Sequence, residues 1–268
     1  MPADLLATIA ERRRLRIAER RAQFPDGLPP RPAAFPPPRA GAFRATLRRP
    51  SPSAPLRLLC ELKRTSPSKG LLRADFDVPI LARSCADGGA TALSVLTEPD
   101  WFQGAPEYLT AARRASGLPC LMKDFVVDPW QLDDAVSLGA DAVLLIVALL
   151  PLERLASLIR TAHARGLDAL VEVHTEDELD VALGAEARLI GVNNRDLSTF
   201  IVDPSVTLRL KPRIPADVVV VAESGIATPD DVRALAAAGI DAALIGEAFM
   251  READVAAAVA RFAAAAAP

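Results

Sequence analysis

From residue 56 onward, short apolar runs recur along the chain, each followed by a turn and then by a segment with apolar residues at helical spacing. The run cores are LLCEL (58–62), TALSVL (91–96), PCLMK (119–123), AVLLIV (142–147), ALVEV (169–173), RLIGVN (188–193), VVVVA (218–222) and AALIG (242–246). Near-continuous apolarity suits parallel strands whose sheet is covered by helices, and eight such units are the number that closes a small barrel. Helical segments fit between them, including DPWQLDDAVSLG, PLERLASLIRTAHARG and TPDDVRALAAAG. The last opens Thr-Pro-Asp and closes on Gly, the order of a cap, a first-turn proline and a stop. The pattern predicts an α/β fold, a single (β/α)8 TIM barrel over 56–268. A doubly wound open sheet has the same alternation, but no Gly-rich dinucleotide fingerprint follows the first run.

Ahead of the barrel, residues 1–55 read as an N-terminal helical extension. Residues 3–23 lack Gly and internal Pro, and Leu5, Leu6, Ile9 and Ile17 suggest one packing face. From Phe24 to Pro55 the chain is Pro-rich (PDGLPPRPAAFPPPR), which disfavours ladders and favours an extended connection, with a short helix near 40–48. The extension is expected to pack on the barrel as part of one domain, a disordered linker being the competing reading.

Composition narrows the function classes. With 268 residues and 51% hydrophobic content, the chain can bury a large core. A net charge of -3 gives no global reason to expect a nucleic-acid or membrane partner, although small anions are bound locally. The arginine run ERRRLRIAERR (11–21) has no interleaved aromatics and is expected to be a solvated helix face, with an arginine near a phosphate entrance. Cys60, Cys85 and Cys120 form no CxxC spacing and read as reduced, intracellular thiols. No apolar run reaches the ~18 residues of a membrane span. The start of the chain lacks signal-peptide order, so a cytoplasmic protein is expected. Only His163 and His174 are available to metal sites or His-centred triads.

In such a barrel, chemistry lies where strands end and βα loops begin. The predicted strand ends carry Glu61, Lys63, Lys123, Glu172, Asn193 and Glu223. Side chains alternate in a strand, so Glu61 and Lys63, two apart, point together toward the barrel mouth. Each alone fits a solvated surface group; a ring of them is a functional signal, because burying so many ionisable groups is costly unless they are paired. Gly225 in ESGI (223–226) and Gly246 in IGEAFM (245–250) fall after strands seven and eight, a recurrent phosphate site of this fold. The loop KRTSPSKG (63–70) adds Ser66, Ser68 and Lys69 around a turn at Pro67, and Trp101, Phe102 and Phe125 suggest a flat or aromatic ligand surface.

The run CELKRTSPSKG resembles the E-x-K-x-x-S-P-S motif of the indole-3-glycerol phosphate synthases. LSVLTEPDWFQG, LMKDF, ADAVLLIV, LVEVHTEDEL, IGVNNRDL, VAESGI and LIGEAFM match that family in order. The resemblance implies ring closure of 1-(2-carboxyphenylamino)-1-deoxyribulose 5-phosphate, with loss of CO2 and water. It implies Lys123 as general acid, with a pKa expected to fall toward a useful range by burial or neighbouring cations. Lys63 would contact the substrate carboxylate and phosphate and share in acid catalysis, and Glu172 would be the general base. Glu61 would hold the lysines or a substrate hydroxyl, Asn193 would orient the site, and Glu223 would bond the substrate's polar middle. Ser66 would contact the carboxylate, whereas Ser224, Gly225, Gly246 and the Glu247 amide would receive phosphate. Phe102, Phe125 and Leu144 would line the anthranilate pocket, and Arg195 would support Glu or Asn partners. No metal and no organic cofactor is implied, because regained aromaticity drives decarboxylation. The expected partner is a small phosphorylated aromatic substrate, with no nucleic acid and no membrane, in a monomer or weak homodimer. A phosphoribosylanthranilate isomerase-like barrel, a Schiff-base aldolase using Lys123 and a non-catalytic phosphate-binding barrel are the alternatives.

Overall fold

The computed structural model describes residues 4–196 and 199–266. Among them, eight parallel strands close a barrel: β1 (Arg57–Leu62), β2 (Ala92–Leu96), β3 (Cys120–Lys123), β4 (Ala142–Ile146), β5 (Asp168–Val173), β6 (Leu189–Asn193), β7 (Val219–Glu223) and β8 (Ala242–Ile245). Each pairs with its sequence neighbours, and β8 returns to β1 with Leu244 opposite Leu59. The strands follow the apolar runs to within one residue at either end. Val147 leaves β4 for a short 3-10 turn (Val147–Leu149), and β7 extends to include Glu223.

Two interleaved cores account for the strand apolarity. Leu59, Leu121, Leu144, Leu170, Val221 and Leu244 meet inside the barrel. Their outward neighbours, among them Cys60, Met122, Val143 and Val171, pack beneath the helices. This parity decides which residues reach the mouth. Stepping by two from the inner leucines gives Glu61 on β1 and Lys63 just beyond its end, Lys123 on β3 and Glu172 on β5, while the same step from Val221 gives Glu223 on β7.

The opposite end is plugged from the Pro-rich segment. A helix at Ala42–Leu47 inserts Phe43 and Leu47, both fully buried, into the inner cluster. Its N-cap, Gly41, has φ 86° and no side chain to cap with. Asp168, at the start of β5, supplies the acceptor instead, bonding the Gly41 amide at 2.8 Å and the Arg44 amide at 2.9 Å. Asp168→Ala is therefore expected to lower stability by about 1–3 kcal/mol, the cost of leaving buried donors bare, seen as a lower urea midpoint at unchanged m.

The N-terminal helix, Asp4–Ala22, docks near the mouth and corrects the reading of the arginine run. Arg13, Arg16 and Arg20, three and four residues apart, share one side of the helix. Arg13 grips Asp124 through two 2.6 Å bonds, Arg16 binds Asp100 at 2.6 and 3.1 Å, and Arg20 binds Asp134 at 2.6 and 2.9 Å. Ala10 and Ile17 pack on Val127, Trp130 and Leu149. These arginines are thus a docking face rather than a solvated one, and their partners Asp100, Asp124 and Asp134 lie in the segments that follow β2 and β3, not β7 and β8. The side chain of Leu5, expected on the packing face, lies outside the described residues. No described helix is long and apolar enough to cross a membrane.

Candidate active site

A cavity of about 830 Å³ opens at the C-terminal ends of the strands, in the size range of small-molecule sites. Glu61, Lys63, Lys123, Glu172, Asn193 and Glu223 all line it. Lys123 Nζ donates to Glu223 Oε2 at 2.6 Å and to Glu172 Oε2 at 3.1 Å. Asn193 Nδ2 donates to the other Glu172 oxygen at 3.1 Å, and its own Oδ1 accepts from the Arg195 amide at 3.0 Å. On the β1 side, Lys63 Nζ donates to Glu61 Oε1 at 2.6 Å and the Ser94 hydroxyl approaches Oε2 at 3.4 Å. Glu61, Glu172 and Glu223 are only 4, 2 and 2% exposed, so their charges are balanced by these lysines and not by water.

The electrostatics overturn one expectation. Burial pulls the Lys123 pKa down, but Glu223, Glu172 and Glu61 outweigh it and hold the ammonium well above its ordinary value. Lys123 is a persistent cation because three carboxylates converge on it. Burial also opposes ionisation of Glu172, yet Lys123, His174 and Asn193 hold it far below the usual carboxylate range. Glu61 is lowered too, its desolvation outweighed by Lys63 and Lys123. Glu223 differs: burial, assisted by repulsion from Glu172, outweighs Lys123 and pushes it up to about 7. Fixed charges and one carboxyl that titrates near neutrality therefore share a single cavity.

Two glycines make room for these carboxylates. Gly191 on β6 faces inward, and a Cβ there would overlap Glu223 Oε1, a buried oxygen with no hydrogen-bond partner among the described atoms. At Gly246 a Cβ would come 2.9 Å from Glu61 Oε1 and 3.1 Å from its Cβ. Gly191→Ala is expected to displace Glu223 from Lys123 and lower kcat at least tenfold while thermal unfolding still shows a folded barrel, because the clash falls on a side-chain end and not on backbone.

The loops after β7 and β8 form one wall. Ser224 (φ 64°) and Gly225 (φ 77°) are successive left-handed residues that turn the chain sharply, held by Asn194 Nδ2 donating to the Ser224 carbonyl at 3.0 Å. Gly246 precedes a short helix, Glu247–Met250, whose first amides have no intrahelical acceptor. The Glu247 side chain binds Arg251 at 3.1 Å, so its carboxylate has a partner of its own.

The other wall is apolar. Phe102 and Phe125 form a tilted pair with centroids 6.2 Å apart, beside Leu144. Glu98 caps the turn that carries Phe102, accepting from the amides of Asp100, Trp101 and Phe102. Trp101 does not line the cavity. Over the rim runs a two-stranded ribbon, Thr65–Ser66 with Gly70–Leu71, and Ser66, Ser68 and Lys69 face the cavity from it. Arg195 lines the cavity, but its guanidinium donates to the Phe200 carbonyl at 3.2 Å. Only its backbone amide reaches Asn193.

Ser94, Asp124, His174 and Gly191 do not stand out for this site in the sequence. Asp124 follows Lys123 and is buried under Arg13 and the Thr97 hydroxyl, the latter at 2.6 Å. Its one sequence signal is its place beside a predicted strand end.

Fold and cavity together define a (β/α)8 barrel whose mouth carries paired lysine and carboxylate charges. Comparison with known proteins is more specific. The family model described as indole-3-glycerol phosphate synthase matches residues 6–262, and the chain belongs to that family. It is 45% identical over 256 residues to the indole-3-glycerol phosphate synthase of Azospirillum brasilense, covering 96% of this chain and 97% of that protein. It is 46% identical over 261 residues to that of Rhizorhabdus wittichii, covering 97% and 98%. Among solved structures, thiamine phosphate pyrophosphorylase from Pyrococcus furiosus is similar in fold alone, with a TM-score of 0.59, 19% identity and coverage of 79% of this chain and 95% of that one.

Proposed function

We infer that this chain converts 1-(2-carboxyphenylamino)-1-deoxyribulose 5-phosphate to indole-3-glycerol phosphate, CO2 and water. The observation that carries the site reading is Lys123 held between Glu172 and Glu223, with amide-rich loops on one side and the Phe102–Phe125 pair on the other. The phosphate is received by Ser224 and the amides of Gly225, Gly246 and Glu247, and the anthranilate ring lies against Phe102, Phe125 and Leu144. Lys63 and Ser66 take the ring carboxylate, and Arg195 borders the same chamber. Lys123 stabilises negative charge on the sugar carbonyl oxygen and protonates it as the ring carbon attacks, forming the new C–C bond. CO2 leaves from that carbon and restores the benzene ring. A second proton, given by the Lys63 ammonium, lets the hydroxyl depart as water, and Glu172, kept ionised, takes the proton released as the second ring becomes aromatic; solvent then reprotonates the lysines. Glu61 holds Lys63, Asn193 orients Glu172, and Glu223 exchanges hydrogen bonds with the substrate hydroxyls.

Insertion of Phe43 and Leu47 into the barrel's inner cluster supports reading 1–55 and 56–268 as one folding unit. The buried thiols suit the cytoplasm, and a monomer or weak homodimer is expected by sedimentation. Supplying the carboxyphenylamino-deoxyribulose phosphate and following product fluorescence tests the activity; a folded, pure protein without turnover would overturn it. Glu172→Gln is expected to lose about 10²–10⁴ in kcat with KM little changed.

A further inference from the structure

His174 takes no part in the chemistry above, does not line the cavity, and yet is nearly buried against it. It lies two residues beyond Glu172, on the inward parity of β5, where the chain enters the helix Glu176–Gly184. That helix is capped by Thr175, whose hydroxyl accepts from the Glu178 amide at 3.2 Å. The cap brings the Glu178 carboxylate back over the strand end. Its Oε2 accepts from the His174 backbone amide at 2.6 Å and lies 3.0 Å from His174 Nδ1. The imidazole is thereby fixed in ring orientation, with Nε2 turned toward the site, 3.4 Å from Glu172 Oε1. Nε2 is buried and has no hydrogen bond among the described residues, and the Glu172 carboxylate is the charge that faces it.

The resulting chain of charges runs from Glu178 through His174 to Glu172, then through Lys123 to Glu223. A neutral imidazole would leave the outer carboxylate without its countercharge inside the rim. We propose that His174 is a positioning residue of the reaction, an imidazolium clamped by Glu178 that holds the Glu172 carboxylate ionised and oriented between Lys123 and Asn193. The proposal rests on Glu172 acting as the base. The titratable groups facing His174 are Glu172 from β5 and Glu178 from the following helix, while the packed turn Val147–Leu149 contributes no charge. Burial alone would lower the imidazole pKa, but the two carboxylates raise it to about 10. The ring therefore stays charged through the neutral range, where an ordinary histidine is largely neutral.

Nuclear magnetic resonance reads this charge directly, because His163 and His174 are the only histidines and His163→Gln leaves one ring to observe. The His174 ring is expected to be doubly protonated at pH 8, and to titrate at lower pH in Glu178→Gln. In His174→Gln, kcat is expected to fall about tenfold or more with KM within about threefold. The acidic limb of the kcat profile should rise by about one pH unit or more, since an opposite charge within 4–6 Å shifts a carboxyl by that much. A His174 ring neutral at pH 7 overturns the proposal without any change at position 174. A folded His174→Gln enzyme with kcat and acidic limb unmoved also overturns it. Full kcat in Glu172→Gln sinks the base reading itself, whereas an inactive Glu172→Gln beside a neutral His174 sinks the positioning proposal alone.

Discussion

Replacing Lys123 by methionine is expected to lower kcat by about 10²–10⁴-fold, the range of a positioned general acid, while the phosphate-binding wall keeps KM within about tenfold. The loss has two sources. The proposed proton donor to the carbonyl oxygen disappears, and so does the cation shared by Glu172 and Glu223 at 3.1 and 2.6 Å. Without it, like charges face each other in a water-poor barrel, and one carboxyl must take up a proton near neutrality. Glu172 then stops being a permanent anion, so Lys123→Met also disables the base. Combining Lys123→Met with Glu172→Gln should cost hardly more than either alone, and free-energy additivity between them would contradict this coupling. The dependence of stability on pH should steepen as well. In the parent protein the lowered Glu172 pKa contributes stability above the unfolded value of ~4.3, lost as pH falls through the folded one. In the variant the carboxyls have raised values, so stability declines as pH rises above ~4.3. Urea unfolding at pH 5 and pH 8 separates the cases: the raised Glu223 already makes the parent less stable at pH 8, and the fall from pH 5 to pH 8 is expected to be larger in the variant.

Parity along the strands is why so much of this site was legible in the sequence. Alternation placed Glu61 and Lys63 together, and counting by two from the inner leucines reaches the other ionisable residues. The same rule applied to Glu172 would have found His174. What could not be read were charges meeting across the barrel. Lys123 and Glu223 are 100 residues apart and sit on strands that do not pair, so their contact exists only once β8 closes on β1. The direction of the Lys123 shift follows from that contact, and burial alone pointed the wrong way. Within the arginine run, Arg12, Arg14 and Arg21 are exposed as expected, but the reading of Arg13, Arg16 and Arg20 failed for the same reason. Their partners Asp100, Asp124 and Asp134 lie 84, 111 and 114 residues away, and composition describes a charge without its partner. Gly191 draws no notice in the sequence, and Gly246 reads there only as a phosphate-site glycine, until the side chains filling their missing Cβ positions are seen.

Arg13→Leu is expected to be the costliest single change outside the cavity, destabilising the fold by about 3–5 kcal/mol, because it strands one member of a buried ion pair. For a barrel of this size that lowers Tm by on the order of 10 °C. The Arg13 fork meets both Asp124 oxygens at 2.6 Å, and those oxygens also accept the Phe125 amide at 2.8 Å and the Thr97 hydroxyl at 2.6 Å. Asp124 is thus the knot joining the N-terminal helix, the loop after β2 and the turn that presents Phe125. It also directly follows Lys123, so a shifted Asp124 carboxylate moves the base of the lysine proposed as the acid, and kcat should fall about tenfold or more along with stability. Arg13→Lys preserves charge but not the planar fork and should recover only part of both. Adding Asp124→Asn to Arg13→Leu should restore stability relative to Arg13→Leu, since the double variant no longer buries a lone carboxylate. If urea unfolding gave Arg13→Leu the same loss with and without Asp124→Asn, the helix would be held by its apolar contacts with Val127 and Trp130 instead.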